Sequence, residues 1–290
     1  MWWWILAACP KREPDVADRV ADLLRAADAA WDQRGSVGLD RAADPLLDAY
    51  NLSPTDPGVG WRLARWRFTE GLVAEDPAIA RGAFAEARAS GGACLDAAPG
   101  FANRRTAEGW TVALSELSPD RAVCAAWTAL AWVRWTELVG PEAAALDLDA
   151  IDALVVAGGT SPEPGARGIA DWARGISLAI RPAWSGRDPD GARAALEQAA
   201  KADPDAAVRK LDLLRLVVGP SGDADAAARL RAQIDDAGSA PEDVRAKQLA
   251  AALSGPSPVP GLAPGAGDAG PGPERPGSGT AERSTPDPRP

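Results

Sequence analysis

One spacing constrains this chain more than any other. In residues 168–204 two apolar helical runs are joined by a Gly/Asp/Pro turn, and the second run ends on a proline. The first run carries Ile169, Trp172, Ile176, Ala179 and Ile180 at intervals that put them on one face of a helix. The turn reads Ser185-Gly186-Arg187-Asp188-Pro189. The second run puts Ala192, Leu196 and Ala199 on one face and stops at Asp203-Pro204. A residue that precedes proline is pushed out of the helical region, so the stop is built into the sequence.

The second-run pattern recurs. Ala42, Leu46, Ala49 and Pro54 repeat it without adjustment. Ala80, Phe84 and Ala87 repeat its first three positions, with the proline delayed to Pro99. A weaker pair lies between Ala207 and Lys247. Alanine is so common here that the three-residue stripe arises easily by chance. Two copies with the proline in register, each after a turn and an apolar helix, do not. The stripe has a physical reason: alanines let a neighbouring helix approach, and the bulky residue fills the space between them. One such hairpin cannot bury its apolar face alone, so several must stack. The alternative is an all-helical bundle without repeats.

Composition agrees with helix. Of 290 residues 46% are apolar, enough for a large core, and alanine supplies much of that fraction. No alternating strand-like run stands out. The predicted fold is all-α: a right-handed superhelix of stacked antiparallel helix pairs. A net charge of −10 leaves no basic excess to neutralise phosphates and argues against nucleic acid as a partner.

The chain has no histidine. That removes the usual general base near neutral pH and the commonest metal ligand. Cys9, Cys94 and Cys124 lack metal-site spacing. A Ser-His-Asp or Cys-His centre is impossible within this chain. Composition leaves a carboxylate pair of the glycosidase kind open, but no pair stands out from the many Asp and Glu. We therefore expect no enzyme, no catalytic residue, no metal and no cofactor.

The chain opens MWWWILAACP. The apolar run is too short to span a bilayer as a helix and reads as a signal segment over residues 1–9. Leu6-Ala7-Ala8-Cys9 fits the bacterial lipobox, so Cys9 is the expected lipidation site and the membrane anchor. The predicted location is the bacterial envelope, facing the periplasm, with the outer membrane preferred because no retention signal follows Cys9. Cys94 and Cys124 would then meet an oxidising compartment, either paired or as separate buried thiols.

The helical domain is expected over residues 15–253. Asp15 is the expected cap of a first helix over residues 16–33, and Gly35–Gly38 the turn after it. A helix over 39–52 contains Pro45, which predicts an irregular first turn. The next pair is read as 61–72 and 78–95, weakened at Gly91-Gly92. A helix over 107–117, a strongly apolar helix over 120–139 and its partner over 146–157 follow. The last pair spans 206–218 and 224–237, with a terminal helix over 241–253 to cap the stack. Residues 254–290 are rich in proline and glycine and are predicted to be disordered.

Stacked helix pairs usually bind something extended on a concave face. Trp61, Trp66, Trp127, Trp132, Trp135, Trp172 and Trp184 fall in the repeat region. Packing between helices accounts for most tryptophans of this kind. Trp132 and Trp135 are the better candidates for a groove, because their helix is apolar on more than one face. Trp184, beside the Gly186 turn, is a candidate exposed ring, and Trp66 completes the set of candidate binding residues.

The Ala/Leu-or-Phe/Ala/Pro series resembles the second helix of the tetratricopeptide repeat. Together with the lipobox and the turn WSGRDPDGARAALEQA, it resembles the T component of tripartite ATP-independent periplasmic (TRAP) transporters, over roughly residues 15–205. Ala192-Arg193…Leu196…Ala199 and Ala80-Arg81…Phe84…Ala87 carry the likeness. Arg187 stands where that family has glycine, and Leu196 where it has an aromatic residue. The resemblance implies a membrane-tethered accessory that docks a periplasmic solute-binding protein and holds an apolar small ligand in a cleft or pore. A general scaffold lipoprotein for envelope assembly is the alternative. A second copy of the chain is a further candidate partner.

Overall fold

A computed structural model describes residues 15–253 apart from 141, 143 and 144; the side chains of 36, 37 and 42 are likewise not described. Among the described residues there is no strand, and the fold is all-α. We number the main helices α1 (Val16–Asp32), α2 (Leu39–Leu52), α3 (Pro57–Val73), α4 (Pro77–Asp96), α5 (Phe101–Glu108), α6 (Trp110–Ser115) and α7 (Ala122–Val139). There follow α8 (Leu148–Gly158), α9 (Ala166–Ile180), α10 (Pro189–Ala202), α11 (Ala207–Leu213), α12 (Ala224–Asp235) and α13 (Pro241–Ala252).

Asp-Pro pairs start three of these helices. Asp56, Asp76 and Asp188 accept hydrogen bonds from Val59 N, Ala78 N and Gly191 N, and proline follows each. Proline is suited to the first helical position because its missing N–H would have no partner there. This is why α3 begins at Pro57, four residues before the expected start. Asp15 makes no side-chain cap bond, contrary to expectation. The expected turn after α1 is a short helical segment, Arg34–Val37, closed by Gly38 at φ +87°. Helix α2 runs through Pro45.

Gly91 and Gly92 do not weaken α4, which continues to Asp96. The Thr128 side chain of α7 takes the place a Gly91 Cβ would occupy, so Gly91 is a contact point and not a breaker. The segment over 107–117 is not one helix: α5 and α6 meet at Gly109, at φ +88°. After α11, residues Leu214–Val218 form a π-helical turn.

The hairpins pack in chain order. Helices α1–α2, α3–α4 and α9–α10 pair, and α7 lies between α3–α4 on one side and α8–α9 on the other. Ala192, Leu196 and Ala199 are buried, as are Ala80, Phe84 and Ala87, and Leu46 and Ala49. The stripe works against glycines of the preceding helix. A Cβ on Gly175 would come within 2.5 Å of Leu196, and one on Gly71 within 2.5 Å of the Phe84 ring. Close approach of the paired helices therefore depends on the missing side chain.

Helix α3 has two apolar faces. Val59, Leu63 and Trp66 join Val20, Ala27, Leu46 and Ala49 of the N-terminal hairpin in one cluster. Trp61, Ala64 and Phe68 join the larger cluster that runs through the remaining helices. The Phe68 ring meets Phe84, Trp127 and Trp172 at centroid distances of 5.3, 5.7 and 5.5 Å, tying α3, α4, α7 and α9 together. Every residue of α7 from Ala122 to Arg134 is buried. Helix α13 packs on α11 and α12, as expected of a terminal helix, but it also reaches back to α3.

Candidate functional site

That return of α13 completes the wall of a half-open cavity of about 330 Å³. Its wall comes from helices that are far apart in sequence. Trp61, Arg65, Phe68 and Leu72 of α3 line it at spacings of three and four, hence from one helix face. Val123 and Trp127 of α7, and Ala166, Ile169 and Trp172 of α9, do the same. Trp31 and Arg34 close it from the N-terminal side, Arg209 from α11, and Glu242 and Asp243 from α13.

Its polar groups are unevenly satisfied. The Arg65 guanidinium lies 4.0 Å from the Trp31 ring centroid and 4.9 Å from that of Trp61, and its Nη2 donates to Asp28 at 3.3 Å. Its Nε is buried without a partner. Burial, with Arg62 and Arg34 adding repulsion, brings its pKa down to about 10 although Asp28 opposes the shift. Arg209 is 6% exposed. It donates to Ala199 O at 2.9 Å and pairs with Asp203 at 3.1 Å, and its Nε is also unpartnered. Burial lowers its pKa, opposed by Asp203.

Glu242 takes both Nε (2.9 Å) and Nη2 (2.5 Å) of Arg34 on Oε1, while its Oε2 is buried and unpartnered. Asp243 accepts from Ala207 N at 2.9 Å. Burial raises its carboxyl pKa and Glu242 adds to the shift. Carboxyl groups outnumber guanidinium groups on the wall: Glu163, Asp203, Asp205, Glu242 and Asp243 against Arg34, Arg65 and Arg209.

Behind the wall lies a buried ion network. Asp212, wholly buried, accepts from Trp172 Nε1 at 2.6 Å and pairs with Arg134 and with Arg215. Glu137 pairs with both arginines. Burial alone would raise the Glu137 pKa, but Arg215 and Arg134 overcome it and hold the group at about 2. Burial likewise works against the Arg215 charge, and Glu137 and Asp212 raise its pKa in spite of it. The network fixes the direction in which Trp172 presents its ring.

Trp132 and Trp135 share a separate recess of about 460 Å³, an outer groove with Trp110, Arg88 and Arg105. Trp132 is only 3% exposed. Its Nε1 donates to Asp147 at 3.0 Å, and the Arg88 guanidinium covers its ring at 3.5 Å. Trp135 is half-buried, with Arg88 at 5.5 Å. Trp66 belongs to the N-terminal cluster, with Arg67 4.2 Å over its ring. Trp184 is 72% exposed on the short turn Ala183–Ser185. The structure thus brings Trp132 and Trp135 together and sets Trp66 and Trp184 apart from them.

Sequence reasoning missed Trp31, Arg34, Arg65, Arg209, Glu242 and Asp243 as a set. The available signal was an arginine four residues after Trp61 on the same helix face. Cys94 and Cys124 form a disulfide, resolving the two readings of those thiols. Cys9 and residues 254–290 lie outside the described residues. No helix among the described residues is long and apolar enough to cross a membrane. The chain matches no protein-family model, and no curated protein matches it at a significant level.

Proposed function

We propose that this chain is a lipid-anchored, non-catalytic binding protein of the bacterial envelope, accessory to a TRAP-type solute transporter, where it docks a solute-binding protein. The helix pairs act as a right-handed, tetratricopeptide-like stack, and Cys9 carries the anchor. The observation that carries the reading is that α3, α7 and α9 each bring a tryptophan, Trp61, Trp127 and Trp172, to one common cavity. A repeat array presents its binding face in this manner. The Cys94–Cys124 bond supports an exported chain, since disulfides persist mainly in oxidising compartments.

The test is recovery from membranes. The tagged full chain, cross-linked and solubilised, is expected to bring down a periplasmic solute-binding protein. The Cys9→Ser variant is expected to leave the membrane fraction. A capture that recovers neither a solute-binding protein nor a transporter subunit overturns the docking role. A Cys9→Ser chain that stays with the membrane overturns the anchor.

A further inference from the structure

We propose that the outer groove binds a flat organic monocarboxylate, a small acid with an aryl body, and that Arg88 is its anchor. The inference concerns the isolated chain, so it stands or falls separately from the docking role and from the inner cavity.

The lead observation is the state of Arg88. Among the described residues eight arginines stack on tryptophan rings. Seven of these also donate to a carboxylate or a carbonyl. Arg88 makes no hydrogen bond and no ion pair with the described residues. Its guanidinium lies 3.5 Å from the Trp132 ring centroid and 5.5 Å from that of Trp135. The side chain is half-buried, yet its nitrogens stay open to solvent. A guanidinium held flat on an indole keeps its N–H groups in one plane, and its rotamers are already restricted. A carboxylate matches that fork with two parallel charge-assisted bonds.

The charges around it select one negative group. The groove is lined by Arg88, Arg105 and Asp96. Asp96 accepts from Nε and Nη2 of Arg105 at 3.2 and 3.0 Å, so that pair is already satisfied. Asp147 attracts Arg88 through space, but its carboxylate accepts from Trp132 Nε1. A first carboxylate meets the open edge of Arg88. A second would be repelled by Asp96 and Asp147.

The body of the ligand is read from the groove's walls. Trp110, Trp132 and Trp135 stand on one side of a floor of small residues from α4, among them Ala85, Ala89 and Gly92. No side chain longer than a methyl group rises from these three, so a flat ring can lie against them. A Cβ on Gly92 would meet nothing within 4 Å, whereas the place of a Gly91 Cβ is taken by Thr128. Glycine inside a helix is destabilising relative to alanine, and no neighbour in the fold requires it at position 92. The volume of about 460 Å³ lies within the range of small-molecule sites, roughly 300–1,000 Å³.

The experiment is calorimetric titration of the purified full chain with two probes of one skeleton, 1-naphthylacetate and its neutral amide, 1-naphthylacetamide. The acid is expected to bind, and the amide to bind at least about tenfold more weakly, the loss of one charge-assisted pair. Arg88→Met keeps an apolar stem beside Trp132 and is expected to bring the acid down to the level of the amide while leaving the amide unchanged. Gly92→Leu puts a side chain into the groove where it meets no neighbour, and is expected to abolish binding of both probes with the helical circular dichroism intact. Should Arg88→Met misfold, Gly92→Leu decides the place and the two probes on the native chain decide the charge. Equal or tighter binding of the amide overturns the carboxylate assignment. Undiminished binding of the acid by a folded Arg88→Met or Gly92→Leu chain overturns the groove as its site. No binding of either probe at about 10 mM overturns the proposal outright.

Discussion

In the inner cavity Trp172 gives its Nε1–H to Asp212, a carboxylate that solvent does not reach. In the outer groove Trp132 gives its own to Asp147, which is part exposed. The same side chain, with the same donor, is held in two different ways. Behind Trp172 stand Arg134, Arg215 and Glu137, so the ring is held through its edge nitrogen by a buried network, with the Arg134 and Arg209 guanidinium groups 5.6 and 5.5 Å from its centroid. Over Trp132 lies Arg88, so the ring is covered from the near side by the protein itself. The first arrangement anchors the ring to a carboxylate that water cannot reach. The second uses up a surface that the sequence makes look available.

The largest expected effect comes from removing what stands behind the inner ring. Asp212→Ala leaves Arg134, Arg215 and Trp172 Nε1 without their shared acceptor. Breaking a buried ion pair by deleting one partner costs about 3–5 kcal/mol, and urea unfolding should show that loss. A loss below about 1 kcal/mol would mean that the network is not what holds the inner wall. Acid tests the same network. Glu137 has its pKa held down from the ordinary 4.5 to about 2 in the folded chain. A depressed folded value means stabilisation that is complete above the unfolded pKa and lost as pH falls through the folded one. The urea midpoint of the native chain should therefore drop as pH goes from 4.5 towards 2. Glu137→Gln should start less stable and lack that part of the drop, so the gap between the two chains narrows in acid.

A matched pair of milder changes measures the comparison directly. Trp172→Phe removes a hydrogen bond to a buried charge and leaves Asp212 short of a donor, at a cost of about 1.5–3 kcal/mol. Trp132→Phe removes the equivalent bond, but Asp147 can turn to water, so the cost should be at most about 1 kcal/mol. Equal losses by thermal or urea unfolding would show that the two recesses are built alike.

Why the sequence pointed to the outer recess follows from where the information lies. Helix periodicity is local, so the hairpins were legible: Ala192, Leu196 and Ala199 are buried where their spacing puts them. Their partners were less so. Gly71 and Gly175 carry no pattern, yet Phe84 and Leu196 pack into the space they leave. Asp-Pro pairs read as turns because proline ends helices as readily as it begins them; only the side-chain bond from Asp56 or Asp76 decides which. The surplus apolar face of α7 was read as free for a ligand. Most of it is covered by α3, α4, α8 and α9, while Trp132 and Trp135 still border the outer recess. The inner cavity draws on six helices from Trp31 to Asp243, and no window of sequence holds such a set. Glu242 and Asp243 in particular look like an ordinary acidic first turn.

The smallest expected effect concerns the cover of the outer groove. Arg88 is half-buried; burial lowers its guanidinium pKa, and Asp147 opposes the shift. Its guanidinium lies 3.5 Å from the Trp132 ring centroid, within reach of a cation–π contact. At a site open to solvent such a contact contributes about 0.5–1 kcal/mol, so Arg88→Ala should hardly change the unfolding midpoint. Exposure should change more than stability. Oxidative footprinting read by mass spectrometry should show Trp132 labelled faster in Arg88→Ala than in the native chain, while Trp172, guarded from behind by Asp212, keeps its rate. A variant in which Trp132 labels no faster would show that the packing of α7 against α4 hides the ring without help from Arg88. The two recesses would then differ in their charges alone and not in what covers them.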